Sequence, residues 1–461
     1  MRIHTFRRPK ARPCAWRPAT VVLTTRTAAS ARAAAASIAA AAHAATPHRP
    51  RRLLAFINPY GGSRAARGVW ERTAAPLLGA AGVRVDVVET AAAGHARDTV
   101  RALTLADAAS LDGLLAVGGD GLFHELLNGL LDARAAAEKR GDAPLSAALA
   151  RLRLGHVPAG STDALAYSIH GTRSPAAAAL HVALGDSARL DALALATGDG
   201  SLTHAACVAS YGYMGDMLAL SERLRWLGPG RYGVAGAVAL AVCGPVSARV
   251  AWRPAPDSCI PATECGPACG TCAGAGVSGW PWRGRARARA GGTPRATPAG
   301  TPRRGGHARG ASESALTLLP PPAAGGDEEA AGPPTPAGWR ALDGRFRAVM
   351  LAALPCRSDA AVSGLAPERH MADGLATLIA VRDRGRLSFL RFLVAIARGE
   401  PLDALGPHVT VATVTAATVA PSPGARGGRW NADGEPLRDP AVGAAVLRGA
   451  VAVFARGTPA P

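Results

Sequence analysis

An acidic residue lies inside a glycine-rich turn at residues 118–121, which read Gly-Gly-Asp-Gly. The turn follows a short apolar run and precedes a segment with helical spacing, so it connects a buried strand to a helix. Glycines let the backbone approach a phosphate closely, and amide N–H groups there supply partial positive charge. Asp120 would repel a phosphate unless it accepts a proton from a hydroxyl nucleophile or helps to hold Mg²⁺. Taken alone, the motif also fits an ordinary turn with a solvated aspartate.

Two further glycine loops follow apolar runs, at residues 58–62 (Asn-Pro-Tyr-Gly-Gly) and 158–163 (Pro-Ala-Gly-Ser-Thr-Asp). In an open parallel sheet, loops at the carboxyl ends of the strands gather at one edge and form the ligand crevice. The three loops together therefore predict a nucleotide site. No Walker loop is present, and the two Gly-x-Gly-x-x-Gly matches, at 228–233 and 274–279, do not follow a predicted strand at the start of a helix, which argues against P-loop and dinucleotide-binding enzymes.

Strand and helix patterns alternate from residue 53 to about 190 and predict a parallel α/β nucleotide-binding domain. From 191 to 457, short alternating runs, among them 203–210, predict an antiparallel β-rich second domain. Residues 273–338 are dense in Gly, Pro, Ala and Arg and are predicted to form a disordered insertion in it.

The formal charge of +19 is concentrated in two low-complexity stretches. Residues 1–70 contribute +13 and residues 273–326 contribute +7, so the rest is almost neutral. A basic groove with interleaved aromatic residues is missing from the sequence, and we therefore expect no nucleic-acid partner.

Residues 1–52 are rich in Arg, Ala, Ser and Thr and contain no acidic residue. This composition fits a transit peptide for a plastid or mitochondrion, or a disordered leader. No apolar run reaches the roughly 18–20 residues of a membrane-spanning helix, so we expect a cytoplasmic protein with peripheral membrane contact.

Three cysteines are clustered at Cys265, Cys269 and Cys272. Structural zinc favours four sulfur or imidazole ligands, and Cys259 could be the fourth. The irregular spacing leaves a reduced thiol cluster as the alternative.

Residues 387–398 place Ser388, Arg391, Ala395 and Arg398 on one helical stripe, with apolar residues elsewhere. The pattern fits a half-buried core helix. The alternative is a calmodulin target or a membrane-facing helix.

In chain order, the first glycine loop is 58–62, the second is 118–121 and the third is 158–163. This order, with the second loop extended as far as Gly129, resembles the diacylglycerol kinase catalytic superfamily. Residues 211–216, 221–232, 389–393 and 430–435, with the cysteine cluster, are similar to its ceramide kinase branch. The resemblance implies an α/β domain followed by a β-sandwich, with ATP in the cleft between them. It also implies a lipid kinase that uses Mg²⁺ and transfers the γ-phosphate of ATP to the primary hydroxyl of ceramide. A sphingoid-base kinase, a diacylglycerol kinase and a catalytically inactive nucleotide or lipid sensor are the alternatives.

The resemblance also implies roles for individual residues. Asp120 would be the general base, with Asp433 as the alternative base or a metal-organising carboxylate. Lipid substrate would be bound by Asp163, Asp216 and Glu222. Nucleotide would be bound by Asn58, Gly61, Gly62, Gly118, Gly119, Gly121, Glu125, Gly160, Ser161, Thr162, Arg225, Arg231, Gly434 and Glu435. Ser63 stands where relatives often carry a basic residue, which puts a phosphate contact there in doubt.

Overall fold

The computed structural model describes residues 2–10, 14–61, 64–256, 265, 269, 272, 335–425 and 427–458. Its first regular elements are a pair of strands and a helix. Strands β1 (Arg2–Arg7) and β2 (Arg17–Val22) pair antiparallel and precede helix α1 (Ala28–Ala45). Trp16 is buried between the rings of Phe6 and His181, with centroid distances of 4.5 and 4.6 Å. Residues 1–52 thus contain more regular structure than a disordered leader would have, and the transit peptide stays a prediction.

The glycine loops belong to an alternating series of strands and helices. The series is β3 (Arg52–Ile57), α2 (Ala66–Val69), a π-helical turn (Trp70–Ala74), α3 (Ala75–Ala80), β4 (Arg84–Glu89), α4 (His95–Arg101), α5 (Leu105–Ser110), β5 (Gly113–Gly118), α6 (Asp120–Arg140), α7 (Ala143–Arg151), β6 (Arg153–Pro158), α8 (Ala164–His170) and α9 (Pro175–Leu184). The strands pair in parallel in the order β4-β3-β5-β6. Strand β5 is buried along its whole length, because apolar helix faces cover both sides of the sheet. Loops after β3, β5 and β6 consequently emerge at one edge.

The second part of the chain is rich in antiparallel strands. It contains β7 (Ala188–Thr197), β8 (Leu202–Ala205), β9 (Val208–Gly212), α10 (Tyr213–Arg223), a 3₁₀ helix (Arg225–Gly230), α11 (Arg231–Val242), β10 (Val246–Pro254), β11 (Arg340–Ala352), β12 (Ala376–Arg382), α12 (Arg386–Arg398), a second 3₁₀ helix (Asp403–Leu405), β13 (Val409–Pro421), β14 (Trp430–Ala432), β15 (Glu435–Leu437) and β16 (Val442–Val453). The predicted fold class, a parallel α/β part followed by a β-rich part, is confirmed. The predicted insertion at 273–338 falls mostly outside the described residues, and the domain boundaries stay predictions.

One predicted strand is interrupted. The sequence predicts a run over residues 203–210, whereas the structure divides it into β8 and β9. The amides of Ala206, Cys207 and Val208 donate to the carboxylate of Asp433. The alternation of apolar residues gave no sign of this break, because it is caused by a side chain more than 200 residues away.

Strand β16 joins the two parts into one sheet. It pairs antiparallel with β7 and β13, and its last residues pair in parallel with the start of β6. Phe454, just after β16, is 1% exposed. A Cβ placed on Gly113 would lie 2.8 Å from its ring and one on Gly155 would lie 3.3 Å from it. These two glycines therefore leave the space that the ring occupies.

We expect Phe454→Ala to lower the free energy of unfolding by about 3–5 kcal/mol, the usual cost of emptying a buried aromatic site. Denaturant titration followed by circular dichroism would measure the change. Leu387→Ala is the control, because that side chain is 83% exposed. An equal loss of stability in both variants would show that Phe454 does not hold the junction.

Candidate active site

The glycine loops meet at the carboxyl edge of the parallel strands. A Cβ placed on Gly118 would lie 3.7 Å from the Cβ of Asn58, and one on Gly160 would lie 2.5 Å from the Cα of Gly119. A side chain at position 160 would therefore collide with the neighbouring loop. Glu435 joins them, since one of its carboxylate oxygens lies 3.1 Å from where a Cβ of Gly121 would be. Loops far apart in sequence thus surround one space.

Asp120 is the first residue of α6 and is held by the start of α8. Its two carboxylate oxygens accept hydrogen bonds from the backbone amides of Ala164 and Leu165, at 2.9 and 3.0 Å. Burial raises the pKa of Asp120, while the nearby His156 and these two amides oppose the rise. The carboxylate is therefore both fixed in position and more basic than one in water.

Asp433 lies in the turn between β14 and β15, with a positive φ of 51°. Its carboxylate accepts from the three amides at the break between β8 and β9, including Val208 at 2.8 Å, and the side chain is 5% exposed. Backbone amides thus hold the carboxylate of Asp433 as they hold that of Asp120, and its role as the alternative base or as a metal-organising carboxylate stays a prediction.

Both carboxylates line one pocket beside the glycine loops. Its wall contains Asp120, Phe123, Leu165, Cys207, Cys356 and Asp433. Phe123, Leu165 and the two cysteines make the wall largely apolar around the two carboxylates.

Asp163 braces the third glycine loop. Its carboxylate accepts from the amide of Gly160 at 2.9 Å, and its own φ is 50°. Burial raises the pKa of Asp163 to about 6, and the neighbouring Asp120 also raises it. The predicted contact of Asp163 with lipid substrate stays a prediction.

Several predicted nucleotide-binding residues shape the loops through their own hydrogen bonds. Asn58 Oδ1 accepts from the amides of Tyr60 and Gly61, at 3.0 and 2.9 Å. Glu125 accepts from the amide of Ala96 at 3.1 Å, at the start of α4. The amide of Gly434 donates to Asn431 at 2.8 Å. Gly62 and Ser63 fall outside the described residues.

Two arginines that no sequence motif indicated lie beside these loops. Arg64 is exposed beside the first loop, with a φ of 56°, and its amide donates to the carbonyl of Gly61. Arg173 Nη1 lies 3.3 Å from the carbonyl oxygen of Thr162 and 2.8 Å from Asp359. Arg64 lies two residues after the first loop in the sequence, and this position could have indicated it. No local sequence pattern connects Arg173 to the third loop.

The predicted residues of α10 and α11 contact one another. Arg231 lies 3.4 Å from Glu222, and it donates to the hydroxyl of Tyr232 at 2.8 Å. Asp216 lies 3.7 Å from Arg429. The position of the Arg225 side chain is not described. Roles for these residues toward nucleotide or lipid stay predictions.

The cysteine cluster includes a histidine that the sequence analysis missed. The Sγ atoms of Cys265, Cys269 and Cys272 and a ring nitrogen of His370 all lie within 4.8 Å of one another. These residue types and distances form a possible metal site. Cys259, the expected fourth ligand, falls outside the described residues.

The diacylglycerol kinase catalytic domain matches residues 52–204, the segment that carries all three glycine loops. A putative diacylglycerol kinase from Bacillus anthracis str. Sterne has the same fold, with a TM-score of 0.52 at 12% identity, over 88% of this chain and 98% of that one. The likeness in sequence to this catalytic domain thus covers about a third of the chain, and the likeness in fold covers most of it.

In sequence, the chain is similar to ceramide kinases. It is 28% identical to the ceramide kinase of Homo sapiens over 351 residues, which are 75% of this chain and 57% of that protein. It is also 28% identical to the ceramide kinase of Arabidopsis thaliana, over 89% of this chain and 73% of that one. The chain thus matches little more than half the length of the human relative.

The raised pKa of Asp163 predicts a pH-dependent stability. The native state holds this proton more tightly than the unfolded chain, so the stabilisation is present below pH 3.8 and is lost as the pH rises to about 6. We therefore expect Asp163→Asn to gain stability relative to wild type across this range, by roughly 3 kcal/mol at most. Urea unfolding at a series of pH values measures the difference. Asp98→Asn, at an exposed carboxylate, is the control, and a pH-independent difference for Asp163→Asn would contradict the assignment.

Proposed function

We propose that the protein is a lipid kinase that transfers the γ-phosphate of ATP to the primary hydroxyl of ceramide, giving ceramide 1-phosphate. The observation that carries this proposal is the position of Asp120, which is fixed by backbone amides at the meeting point of the glycine loops. The ceramide kinases among its relatives support the choice of acceptor.

The loops supply what a phosphoryl transfer needs. They surround a shared space where phosphates can lie, and Arg64 and Arg173 bring positive charge to its rim. Asp120 accepts the proton of the attacking hydroxyl. Glu435 is exposed beside Gly121 and is available to a nucleotide-bound Mg²⁺, which supplies charge neutralisation when bound.

The acceptor is more consistent with a neutral amide than with an amine. A sphingoid base carries an ammonium group that would require a carboxylate partner. Leu218 lies two residues after Asp216 on α10 and offers none. This favours ceramide over sphingosine as the lipid.

We expect Asp120→Asn to reduce kinase turnover by about 10²–10⁴-fold, the usual contribution of a general base, while ATP still binds. A radiolabelled ATP assay against ceramide, sphingosine and diacylglycerol measures the turnover and identifies the acceptor. Asp403→Asn, which changes an exposed carboxylate elsewhere, should behave as wild type. Turnover near wild type in Asp120→Asn would remove this residue from the base role, and tight ATP binding without product from any lipid would indicate a nucleotide sensor.

The lipid would be reached from a membrane surface, and α11 and α12 present a candidate contact face. The described residues contain no helix long and apolar enough to cross a membrane. Arg386 at the start of α12 donates to the carbonyl of Leu240 at 3.1 Å, so the start of α12 lies against the end of α11, and each helix has an exposed apolar residue there, Leu387 and Val242. These side chains are 83% and 67% exposed, respectively. Exposed arginines flank this apolar surface and suit anionic lipid head groups: Arg384, Arg386, Arg391 and Arg398.

We expect Leu387→Glu to weaken binding to vesicles that contain anionic lipid at least several-fold, because it places a charge at the centre of the apolar face. Vesicle co-sedimentation measures the bound fraction. Val87→Glu is the matched control, since Val87 is 43% exposed on the distant strand β4. Equal binding by both variants and wild type would exclude this face.

Three finer assignments accompany this proposal. Zinc is the metal proposed for the cysteine cluster, because thiolate and imidazole ligands select it. Calmodulin stays a prediction, and a target helix at α12 would have to detach Phe389 and Phe392 from the core. A peripheral membrane location follows from the proposed lipid substrate, with the organelle left as a prediction.

A further inference from the structure

We infer that Cys265, Cys269, Cys272 and His370 form a structural zinc site that fastens the connection between β11 and β12, which in turn forms part of the active-site pocket. The inference rests on the proposal that the cluster binds zinc. It adds the fourth ligand and a purpose for the ion.

The four ligand atoms are close enough to share one ion. The Sγ atoms of Cys265 and Cys272 lie 3.5 Å apart, and Cys269 Sγ lies 3.1 Å from His370 Nδ1. In a tetrahedral zinc site with bonds of about 2.0–2.3 Å, neighbouring ligand atoms lie roughly 3.3–3.8 Å apart. The cluster therefore needs only small side-chain movements to close around an ion.

The number of ligands indicates a structural ion. Three thiolates and an imidazole fill a tetrahedral zinc site and leave no open position for water or substrate. Such a centre has a net charge of −1. Arg369, next to His370, is fully buried and is already paired with Glu368 at 3.5 Å and Asp373 at 3.4 Å.

The site joins two segments that are distant in sequence. The cysteines follow β10, whereas His370 lies in the connection between β11 and β12, about a hundred residues later. Closing so long a loop is entropically costly, and a metal bond offsets that cost more than a short-range contact could. The segment around His370 is also bound to strand β7, because the amide of Asp191 donates to the carbonyl of Met371 at 2.7 Å.

The same connection reaches the pocket at its other end. Cys356 lines the pocket beside Asp120. The amide of Arg357 donates to Ser168 Oγ at 3.1 Å, and Ser168 belongs to α8, the helix whose first amides hold Asp120. An ion at His370 would thus restrain the wall of the pocket without touching the reacting groups.

Metal analysis of the full-length protein, purified without chelators, tests the inference independently of kinase activity. We expect about one zinc per chain in wild type and at least a ten-fold lower content in Cys269→Ser and His370→Ala. His370→Cys should retain the ion, because a fourth thiolate replaces the imidazole. Cys243→Ser and His48→Ala, which change the same residue types elsewhere, should keep one zinc. Full zinc content in His370→Ala would exclude His370 as a ligand, and wild type without zinc would overturn the site.

Cobalt replacement in wild type keeps the test decisive if the variants fold poorly. A tetrahedral thiolate site gives intense sulfur-to-cobalt charge-transfer bands, whereas weak octahedral spectra would overturn the assignment. For the fastening role, we expect amide hydrogen exchange in residues 353–375 and α8 to rise in His370→Ala and to be unchanged in the controls. Zinc loss with unchanged exchange would refute that role. A zinc-loaded protein without kinase activity would leave this inference standing and refute only the proposed function.

Discussion

Backbone amides hold the carboxylates on which the candidate site depends. Asp120 accepts from the first amides of α8, and Asp433 accepts from the amides between β8 and β9. Buried amides without partners and buried carboxylates without donors are each costly, so every pairing removes two penalties at once. The pocket is consequently fixed in shape before any ligand binds.

The continuity of the sheet determines which residues can meet at this pocket. Asp120 follows a parallel strand early in the chain, whereas Asp433 and Glu435 come from the β14–β15 turn more than 300 residues later. Strand β16 pairs with β6 on one side and with β7 and β13 on the other. The two halves are therefore joined by backbone hydrogen bonds and by the buried ring of Phe454, and a large relative displacement would break this pairing.

The parts of the site that could be predicted are those with a local signal. Glycines at strand ends revealed all three loops, and the acid within one of them identified Asp120. The break at residues 206–207, the contact of Arg173 with the third loop and the approach of His370 to the cysteines all join distant residues. Such contacts produce no recognisable motif or residue spacing in the sequence, because they depend on how the sheet brings remote segments together. The alternation of strand and helix patterns predicted a parallel sheet, but it could not predict which distant residues contact each glycine loop.

Charge balance identifies the form of nucleotide that the pocket can accept. Asp120, Asp163, Asp433 and Glu435 place four carboxylates around the glycine loops, and burial, with a smaller contribution from repulsion by Asp433, raises the pKa of Asp120. A bare triphosphate would bring further negative charge into this space and be repelled. Backbone amides and the arginines at the rim offset only part of that repulsion. A triphosphate that arrives with a divalent cation is close to balanced, because the cation attracts both the phosphates and Glu435. In the proposed kinase, the carboxylates that disfavour free ATP would thus favour its magnesium complex, and Asp120 would accept the proton of the incoming alcohol.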